Sequence, residues 1–276
     1  MLNGLDLFTG IGGMSFGLRG YIRPVAYCEC EVYCQKVLLS RMATRELPNC
    51  PIWDDIRTLS GDEFRERIDI IYGGFPCQDI SIAGNGKGLG GERSGLFFEM
   101  LRLAKEIEPK FIFIENVPAI TTRGGLQIVK EIASLGYDCR WCVISAASIG
   151  AMHERKRWFL LAHSASKKSD SQRFGNEEEY TMSSHCGINE LCHSNSQPSE
   201  QAYPKTIADE TRQTAWGRPA GQCWPFASRD DWQKTVSEMG KCSDGIPNHV
   251  DRLRALGNAV VPQQVRRAFE MLMGII

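Results

Sequence analysis

The chain has 276 residues, a hydrophobic fraction of 42% and a formal net charge of −1 at pH 7. This length suits one large domain, or one domain with a smaller inserted module, and the apolar content can supply a core. No apolar run approaches about eighteen residues and the first residues lack a signal-peptide pattern, so we expect no membrane span. The eleven cysteines follow no framework spacing, which indicates reduced thiols and a cytoplasmic protein. The near-zero net charge leaves a local basic patch for nucleic acid open.

The N-terminal half of the chain alternates strand and helix patterns at the spacing of an α/β protein. We predict strands at 5–8, 25–28, 69–72, 111–114, 139–145 and 158–162, and helices near 35–39, 96–107 and 126–135. Because two-residue hairpin turns are missing between these segments, we expect parallel strands with helical crossovers.

The sequence changes character after residue 163, where polar residues replace the periodic pattern. Four aromatic residues, Trp216, Trp224, Phe226 and Trp232, indicate a small core in this part of the chain. The periodic pattern returns at Val250 and ends in a helix. We therefore predict an α/β domain of 1–163 plus 250–276, interrupted by an inserted module of 164–249.

Cys77 follows a short apolar strand and a turn made of two glycines, Phe75 and Pro76. The fixed φ of Pro76 stiffens this turn, so the thiol is presented at the carboxyl end of the strand. Ligands bind at that edge in open α/β sheets, which favours a nucleophile. The alternative is a small apolar core cysteine.

A glycine-rich turn joins the first strand to a helix, with Gly10 and Gly12 placed to let a ligand approach the backbone. Glu29, at the end of the next strand, is positioned to accept hydrogen bonds from a ribose diol. Asp55 could accept one from the exocyclic amine of adenine. Together these residues suggest an adenosine-containing cofactor, although Asp55 alone also fits a turn or helix cap.

Glu115 ends the strand at 111–114, at the same sheet edge as Cys77 if the two strands are neighbours. A partly desolvated Glu has a raised pKa and can donate a proton near neutral pH. Arg155 and Arg157 alternate at the start of the last strand, so both could meet an anion or a carbonyl oxygen. They could instead pair with Glu115 or lie on a solvated face.

Two further features have weaker interpretations. The glycine-rich segment 83–93 is either a lid over the substrate or a loop without function, and it does not match a P-loop. A zinc site could be assembled from Cys186, Cys192 and His193 with Cys223 or Cys242, but their spacing matches no tight pair and we predict no metal. The pair Cys139 and Cys142 lies in a strand pattern with its thiols on opposite sides.

In order along the chain, these segments resemble the motifs of DNA cytosine-5 methyltransferases of bacterial or phage type. The matching segments are Asp6 to Gly13 (DLFTGIGG), Gly74 to Gln78 (GFPCQ), Arg93 to Phe97 (RSGLF), Glu115 to Val117 (ENV) and Arg254 to Val260 (RALGNAV). The family's Gln-x-Arg-x-Arg reads His153 to Arg157 (HERKR), which keeps both arginines and changes the first position.

The resemblance implies a Rossmann-like, S-adenosylmethionine-dependent methyltransferase fold, with a mostly parallel sheet and a small inserted module that recognises the DNA sequence. It implies cofactor binding by Phe8, Gly10, Ile11, Gly12, Glu29, Asp55, Ile56, Leu96, Asn258 and Val260. It implies catalytic roles for Cys77, Glu115, Arg155 and Arg157.

The implied reaction transfers a methyl group from S-adenosyl-L-methionine to carbon 5 of a cytosine flipped out of double-stranded DNA. Cys77 would attack carbon 6 and Glu115 would protonate or hydrogen-bond ring nitrogen 3. A cognate restriction endonuclease is a further partner that the resemblance allows, and we expect a monomer. The rival interpretations are an RNA cytosine-5 methyltransferase and a catalytically silent DNA-binding relative.

Overall fold

Apolar and β-branched runs form seven strands in the computed structural model, which describes residues 1–76, 95–165 and 249–276. The strands are β1 (Leu2–Leu7), β2 (Ile22–Cys28), β3 (Ile52–Trp53), β4 (Ile70–Gly73), β5 (Phe111–Asn116), β6 (Tyr137–Ile144) and β7 (Arg157–Ser164). Six of them match predicted strands. The two-residue β3 is too short to give a sequence pattern.

The helices of the described residues lie between and after these strands. They are α1 (Gly13–Gly17), α2 (Val32–Ala43), α3 (Gly95–Ile107), α4 (Ile120–Arg123), α5 (Gly125–Ser134), α6 (His249–Asn258) and α7 (Pro262–Leu272), with short 3₁₀ turns at Asp62–Phe64 and Ala147–Ile149. Pro262 begins α7, where its missing N–H has no intrahelical partner to lose.

The strands form one sheet in the order β3-β2-β1-β4-β5-β7-β6. The first five strands in this order are parallel to one another, as predicted. β7 is antiparallel to both β5 and β6, so the expectation of parallel strands throughout is wrong there. The chain returns from β6 through a loop and a 3₁₀ turn instead of a long helical crossover, and this short return leaves β7 antiparallel.

Alternate strand residues point to two apolar layers. One face of the sheet packs Ile112, Ile114 and Leu160 in the same cluster as Phe97 of α3 and Ile128 of α5. The other face packs a second cluster that includes α1 and α7, with Phe113 stacked on Phe159 and in edge contact with Phe269. Helices on both faces of a largely parallel sheet are the doubly wound arrangement that places ligand sites at the carboxyl ends of the strands.

Several sequence expectations can be compared with the described residues. None of their helices is both long and apolar enough to cross a bilayer. Cys139 and Cys142 pack on opposite faces of β6, as predicted. The residues of the alternative zinc set, the segment 83–93 and nearly all of the inserted module lie outside the described residues.

Candidate active site

The turn after β1 opens the cofactor side of the site. Phe8, Gly10 and Gly12 have φ values of +56°, +57° and +84°, a left-handed region that is costly for residues with a side chain. Thr9 stabilises the turn because its hydroxyl donates to the Asp6 carbonyl at 2.9 Å. A Cβ built at Gly10 would meet no atom of the described residues within 4 Å, so these residues leave the space in front of the turn open.

Glu29 lies at the end of β2 and faces this turn. Its Oε2 accepts from the Gly10 N–H at 2.6 Å and its Oε1 from the Glu31 N–H at 2.8 Å. Burial raises the pKa of Glu29, while the Glu31 and Gly10 N–H groups oppose the rise. Each carboxylate oxygen can accept more than one hydrogen bond, so Glu29 keeps acceptor capacity for ribose hydroxyls.

Asp55 and Ile56 lie in the loop after β3. Asp55 is partly exposed, and its Oδ1 accepts from the Arg57 N–H at 3.0 Å, which is the contact that the turn interpretation requires. The Ile56 side chain is buried in the core. Leu96, in the first turn of α3, is half-buried and packs against the same cluster.

The C-terminal motif returns to the glycine turn. A Cβ at Gly13 would lie 2.9 Å from Val260 Cγ2, so the backbone of α1 and the Val260 side chain are in close approach. Asn258 ends α6 two residues earlier. The structure therefore brings Gly10, Glu29 and Val260 to the carboxyl edge of β1 and β2, as the cofactor interpretation requires.

The turn that leads to the predicted nucleophile lies against Glu115. β4 and β5 are parallel neighbours with Gly73 opposite Ile114, so Gly74 comes beside Glu115. A Cβ at Gly74 would be 2.7 Å from Glu115 Oε2, and only glycine fits there without a shift. Cys77 lies three residues further on, outside the described residues.

Asn116 ties the two strand ends together. Its side-chain amide donates to the Phe75 carbonyl at 3.1 Å, and its Oδ1 accepts from the Val117 N–H at 2.8 Å. Asn116 is buried, so both polar ends of its amide are satisfied inside the protein. The amide fixes the turn before Cys77 relative to the strand that carries Glu115.

Glu115 is buried and paired with an arginine. Arg157 Nε lies 2.8 Å from Glu115 Oε1. Burial raises the pKa of Glu115 to about 7, and the charges of Arg157 and Arg155 oppose that rise. The raised pKa that the sequence predicted is present, and a carboxyl group that titrates near neutral pH can hold and deliver a proton.

Arg155 differs from Arg157 in its contacts. It precedes β7 with a φ of +30°, and its Nη2 donates to the carbonyl oxygens of Gly257, at 2.7 Å, and Ala259. Burial, followed by the charge of Arg157, lowers the pKa of Arg155. Arg155 thus holds the C-terminal motif, and Arg157 pairs with the Glu115 carboxyl group.

His153 occupies the first position of this arginine motif, where the family has glutamine. It is half-buried, and burial together with Arg155 and Arg157 lowers its pKa. The imidazole is therefore neutral at pH 7, as a glutamine amide would be, and can both donate and accept a hydrogen bond. Histidine in place of glutamine therefore leaves the net charge of the site unchanged.

Some residues that shape the site were not predicted. Gln264 of α7 is fully buried and its amide donates to the carbonyl oxygens of Ile144, at 3.0 Å, and Arg155, at 2.7 Å. Arg41 donates to the Ile11 carbonyl at 2.5 Å and so supports the glycine turn from α2. A polar helix residue gives no sequence signal for such contacts, because the carbonyl groups that accept its hydrogen bonds are distant in sequence.

The sheet order and the carboxyl-edge site define a Rossmann-like fold of the S-adenosylmethionine-dependent methyltransferase class. Among solved structures, the chain is similar to a Spodoptera frugiperda DNMT2 mutant, with a TM-score of 0.52 and 17% identity over 65% of this chain and 54% of that one. It is similar to the S. pombe Dnmt2 methyltransferase with a TM-score of 0.50 and 23% identity over 65% and 57% of the two chains. At these identities the likeness concerns the fold alone.

The chain belongs to the C-5 cytosine-specific DNA methylase family, whose model matches residues 2–243. It is 39% identical over 159 residues to the type II methyltransferase M.CviJI of Paramecium bursaria Chlorella virus IL3A, covering 57% of this chain and 42% of that protein. It is 34% identical over 170 residues to M2.BsuMI of Bacillus subtilis, covering 57% and 41%. The matched part of the chain thus spans about two fifths of the length of these two relatives.

Proposed function

We propose that the protein is a DNA (cytosine-5-)-methyltransferase that acts on a cytosine flipped out of double-stranded DNA. The observation that carries this proposal is the position of Glu115. Its buried carboxyl group, with a pKa of about 7, lies against the glycine turn that leads to Cys77. The family match over residues 2–243 supports this proposal.

S-adenosylmethionine fits the residues at the first three strand ends. The open space in front of Gly10 admits a ligand close to the backbone, and Glu29 supplies acceptors for ribose hydroxyls. Asp55, Ile56 and Leu96 would contact the adenine. Phe8, Ile11, Gly12, Asn258 and Val260 would complete the pocket around the glycine turn. When bound, this cofactor supplies an electrophilic methyl group.

The residues of the chain prepare cytosine to accept that methyl group. The Cys77 thiolate adds to carbon 6, and the proton of Glu115 goes to ring nitrogen 3, so negative charge does not accumulate on the ring. Carbon 5 is then electron-rich and can be methylated. Loss of the carbon 5 proton afterwards breaks the bond from Cys77 to carbon 6, and the proton on ring nitrogen 3 returns to Glu115, which restores the neutral aromatic ring.

The two arginines act on different parts of this site. Arg157 holds the Glu115 carboxyl group in position and lies at the edge where the base must enter. Arg155 positions the C-terminal motif beside the glycine turn, and the contact with substrate that the sequence suggested stays a proposal. We assign recognition of the DNA sequence to the inserted module, 164–249. A cognate restriction endonuclease and a monomeric state are further proposals.

The decisive experiment compares Cys77→Ser with the unchanged protein and with Cys50→Ser. Cys50 is a matched control because its thiol donates to the Pro24 carbonyl, at 3.1 Å, which a serine hydroxyl can also do. We expect labelled methyl transfer to duplex DNA to be abolished in Cys77→Ser and retained in Cys50→Ser, while Cys77→Ser still binds cofactor. Activity in Cys77→Ser would overturn the assignment of the nucleophile.

The same assay separates the rival functions. An RNA cytosine-5 methyltransferase would methylate tRNA in preference to duplex DNA. A catalytically silent relative would bind DNA and transfer no methyl group to either nucleic acid. Bisulfite sequencing of DNA from cells that express the protein would then identify the target sequence.

A further inference from the structure

The guanidinium of Arg102 joins the middle of α3 to the loop after β3. Its Nη2 donates to the carbonyl oxygens of Ile56, at 2.9 Å, and Leu59, at 3.0 Å. Loop carbonyl groups that are removed from water need such donors, and here a single charged side chain serves two of them. The backbone of this loop is therefore fixed by a residue of a helix that is distant in sequence.

Two carboxylates on the same helix hold this guanidinium in one orientation. Arg102 Nε donates to Glu99 at 2.7 Å, and Nη1 donates to both oxygens of Glu106 at 2.8 and 2.9 Å. These spacings of three and four residues place all three side chains on one face of α3. Glu106 also accepts from the Gly61 N–H at 2.8 Å, which adds a second link to the loop.

The loop and the helix joined in this way carry two walls of the proposed adenine pocket. Asp55 and Ile56 belong to the loop, and Leu96 lies in the first turn of α3. The Ile56 side chain is buried in the core, while its carbonyl is held by Arg102. A shift of the loop would have to break these hydrogen bonds and move a core residue.

We propose that Arg102 is a positioning residue for the cofactor: it fixes the spacing between the Asp55–Ile56 wall and the Leu96 wall of the adenine pocket. This inference rests on the proposed function, because that function makes these residues an adenine pocket. Arginine suits the role because its planar fork can hold two carboxylates and two carbonyl groups at once, which lysine cannot do. Arg102 itself touches neither the cofactor nor the reacting atoms in this assignment.

The test measures binding of S-adenosylhomocysteine by calorimetry to the unchanged protein and to Arg102→Met, which keeps an unbranched side chain and removes the donors. We expect the dissociation constant to rise roughly tenfold, equivalent to about 1.4 kcal/mol. In steady-state assays the KM for S-adenosylmethionine should rise by a similar factor. We expect kcat at saturating cofactor to stay within roughly twofold, since the reacting groups are not displaced.

Arg65→Met is the matched control. Arg65 also links the segment after β3 to the end of α3, through an exposed ion pair with Glu108 at 3.1 Å, but the Ile56 and Leu59 carbonyl groups accept from Arg102 and not from Arg65. We expect its dissociation constant to be unchanged. Arg102→Lys keeps the charge, and we expect a roughly threefold higher dissociation constant. It serves as the test variant if Arg102→Met does not fold.

Each outcome decides the proposal. If the unchanged protein does not bind S-adenosylhomocysteine, the proposed function fails and this inference fails with it. If that protein binds and the Arg102 variants bind equally well, only the role of Arg102 is overturned. A purely structural role would lower the binding-competent fraction and the unfolding midpoint with an unchanged dissociation constant, and this result would also overturn the proposal.

Discussion

Gly74 lies directly against the carboxylate of Glu115, because a Cβ at position 74 would be only 2.7 Å from Glu115 Oε2. The turn before the predicted nucleophile and the predicted proton donor are therefore packed together with no room for a methyl group. A Cβ at position 74 would have to displace either the carboxylate or the turn. This relationship gives the first prediction.

Gly74→Ala should displace the Glu115 carboxyl group or the turn before Cys77. We expect a loss of stability of about 1–3 kcal/mol from overpacking, together with a loss of methyl transfer of roughly tenfold or more. Denaturant unfolding and single-turnover methylation measure the two effects. Gly95→Ala is the stability control, since a Cβ there meets no atom of the described residues within 4 Å. Full activity in Gly74→Ala would show that the carboxyl group can move without consequence.

The pH dependence of methyl transfer should report Glu115. Its pKa of about 7 means that the protonated form, which donates to the base, is present below pH 7 and lost above it. We expect kcat/KM to fall on the alkaline side with an apparent pKa near 7. Arg157→Gln should move this limb to higher pH, because Arg157 holds the pKa of Glu115 down. Arg140→Gln, which changes an exposed arginine on β6, is the control and should leave the pH profile unchanged. If Arg157→Gln does not shift the alkaline limb, Glu115 is not the group that causes this limb.

Arg155→Met should release the C-terminal motif from the loop before β7. The lost hydrogen bonds to the Gly257 and Ala259 carbonyl groups join a charged donor to backbone acceptors, and such bonds contribute about 1.5–3 kcal/mol each. We expect a lower free energy of unfolding and weaker cofactor binding, because Val260 packs against the glycine turn. Calorimetry and denaturant unfolding measure these changes. An effect confined to the KM for DNA would instead show that Arg155 acts on the substrate.

Asp6 should make the stability of the protein depend on pH. Its carboxyl group is buried, Oδ2 accepts from the Ser15 hydroxyl at 2.5 Å, and Oδ1 has no hydrogen-bond partner among the described residues. Burial raises the pKa of Asp6 to about 7. Because the folded state holds the proton more tightly than the unfolded state, stability is fully present below about pH 4 and is lost as pH rises to about 7.

Asp6→Asn removes this titration. The asparagine amide lowers the stability by an amount that does not depend on pH, because one of its polar atoms takes the position of Oδ1 and has no hydrogen-bond partner there. The free energy of unfolding of the variant, minus that of the unchanged protein, should therefore increase by up to roughly 4 kcal/mol as the pH rises from 4 to 8. Denaturant unfolding at the two pH values measures the difference. An equal effect of the substitution at both would show that Asp6 is ionised in the folded protein throughout this range.

The sequence predicts much of the site because its signals are local. The apolar run before Glu115 marks a strand, and a carboxylate at the end of a parallel strand falls at the ligand edge. Glu29 follows from the same reasoning at the end of β2. Strand order and the pairing of β4 with β5 then bring distant motifs together, as expected for this fold.

The parts that sequence reasoning missed depend on distant partners. Arg155 and Arg157 look equivalent in the sequence, yet a positive φ at Arg155 directs it to the C-terminal motif while Arg157 pairs with Glu115. Gln264 reads as an ordinary polar helix residue, and only its buried acceptors reveal its role. The antiparallel β7 was missed because strand patterns carry no direction.

The antiparallel strand β7 also fixes the spacing that places Arg157 on the same sheet face as Glu115. Glu115 is paired with Phe159, and side chains alternate between sheet faces, so Arg157 shares the face of Glu115 because it lies two positions before Phe159, with one residue between them. Inserting or deleting one residue between them would turn the guanidinium to the opposite layer. A length change before Arg155 would leave this alternation intact, because it does not alter the spacing between Arg157 and Phe159.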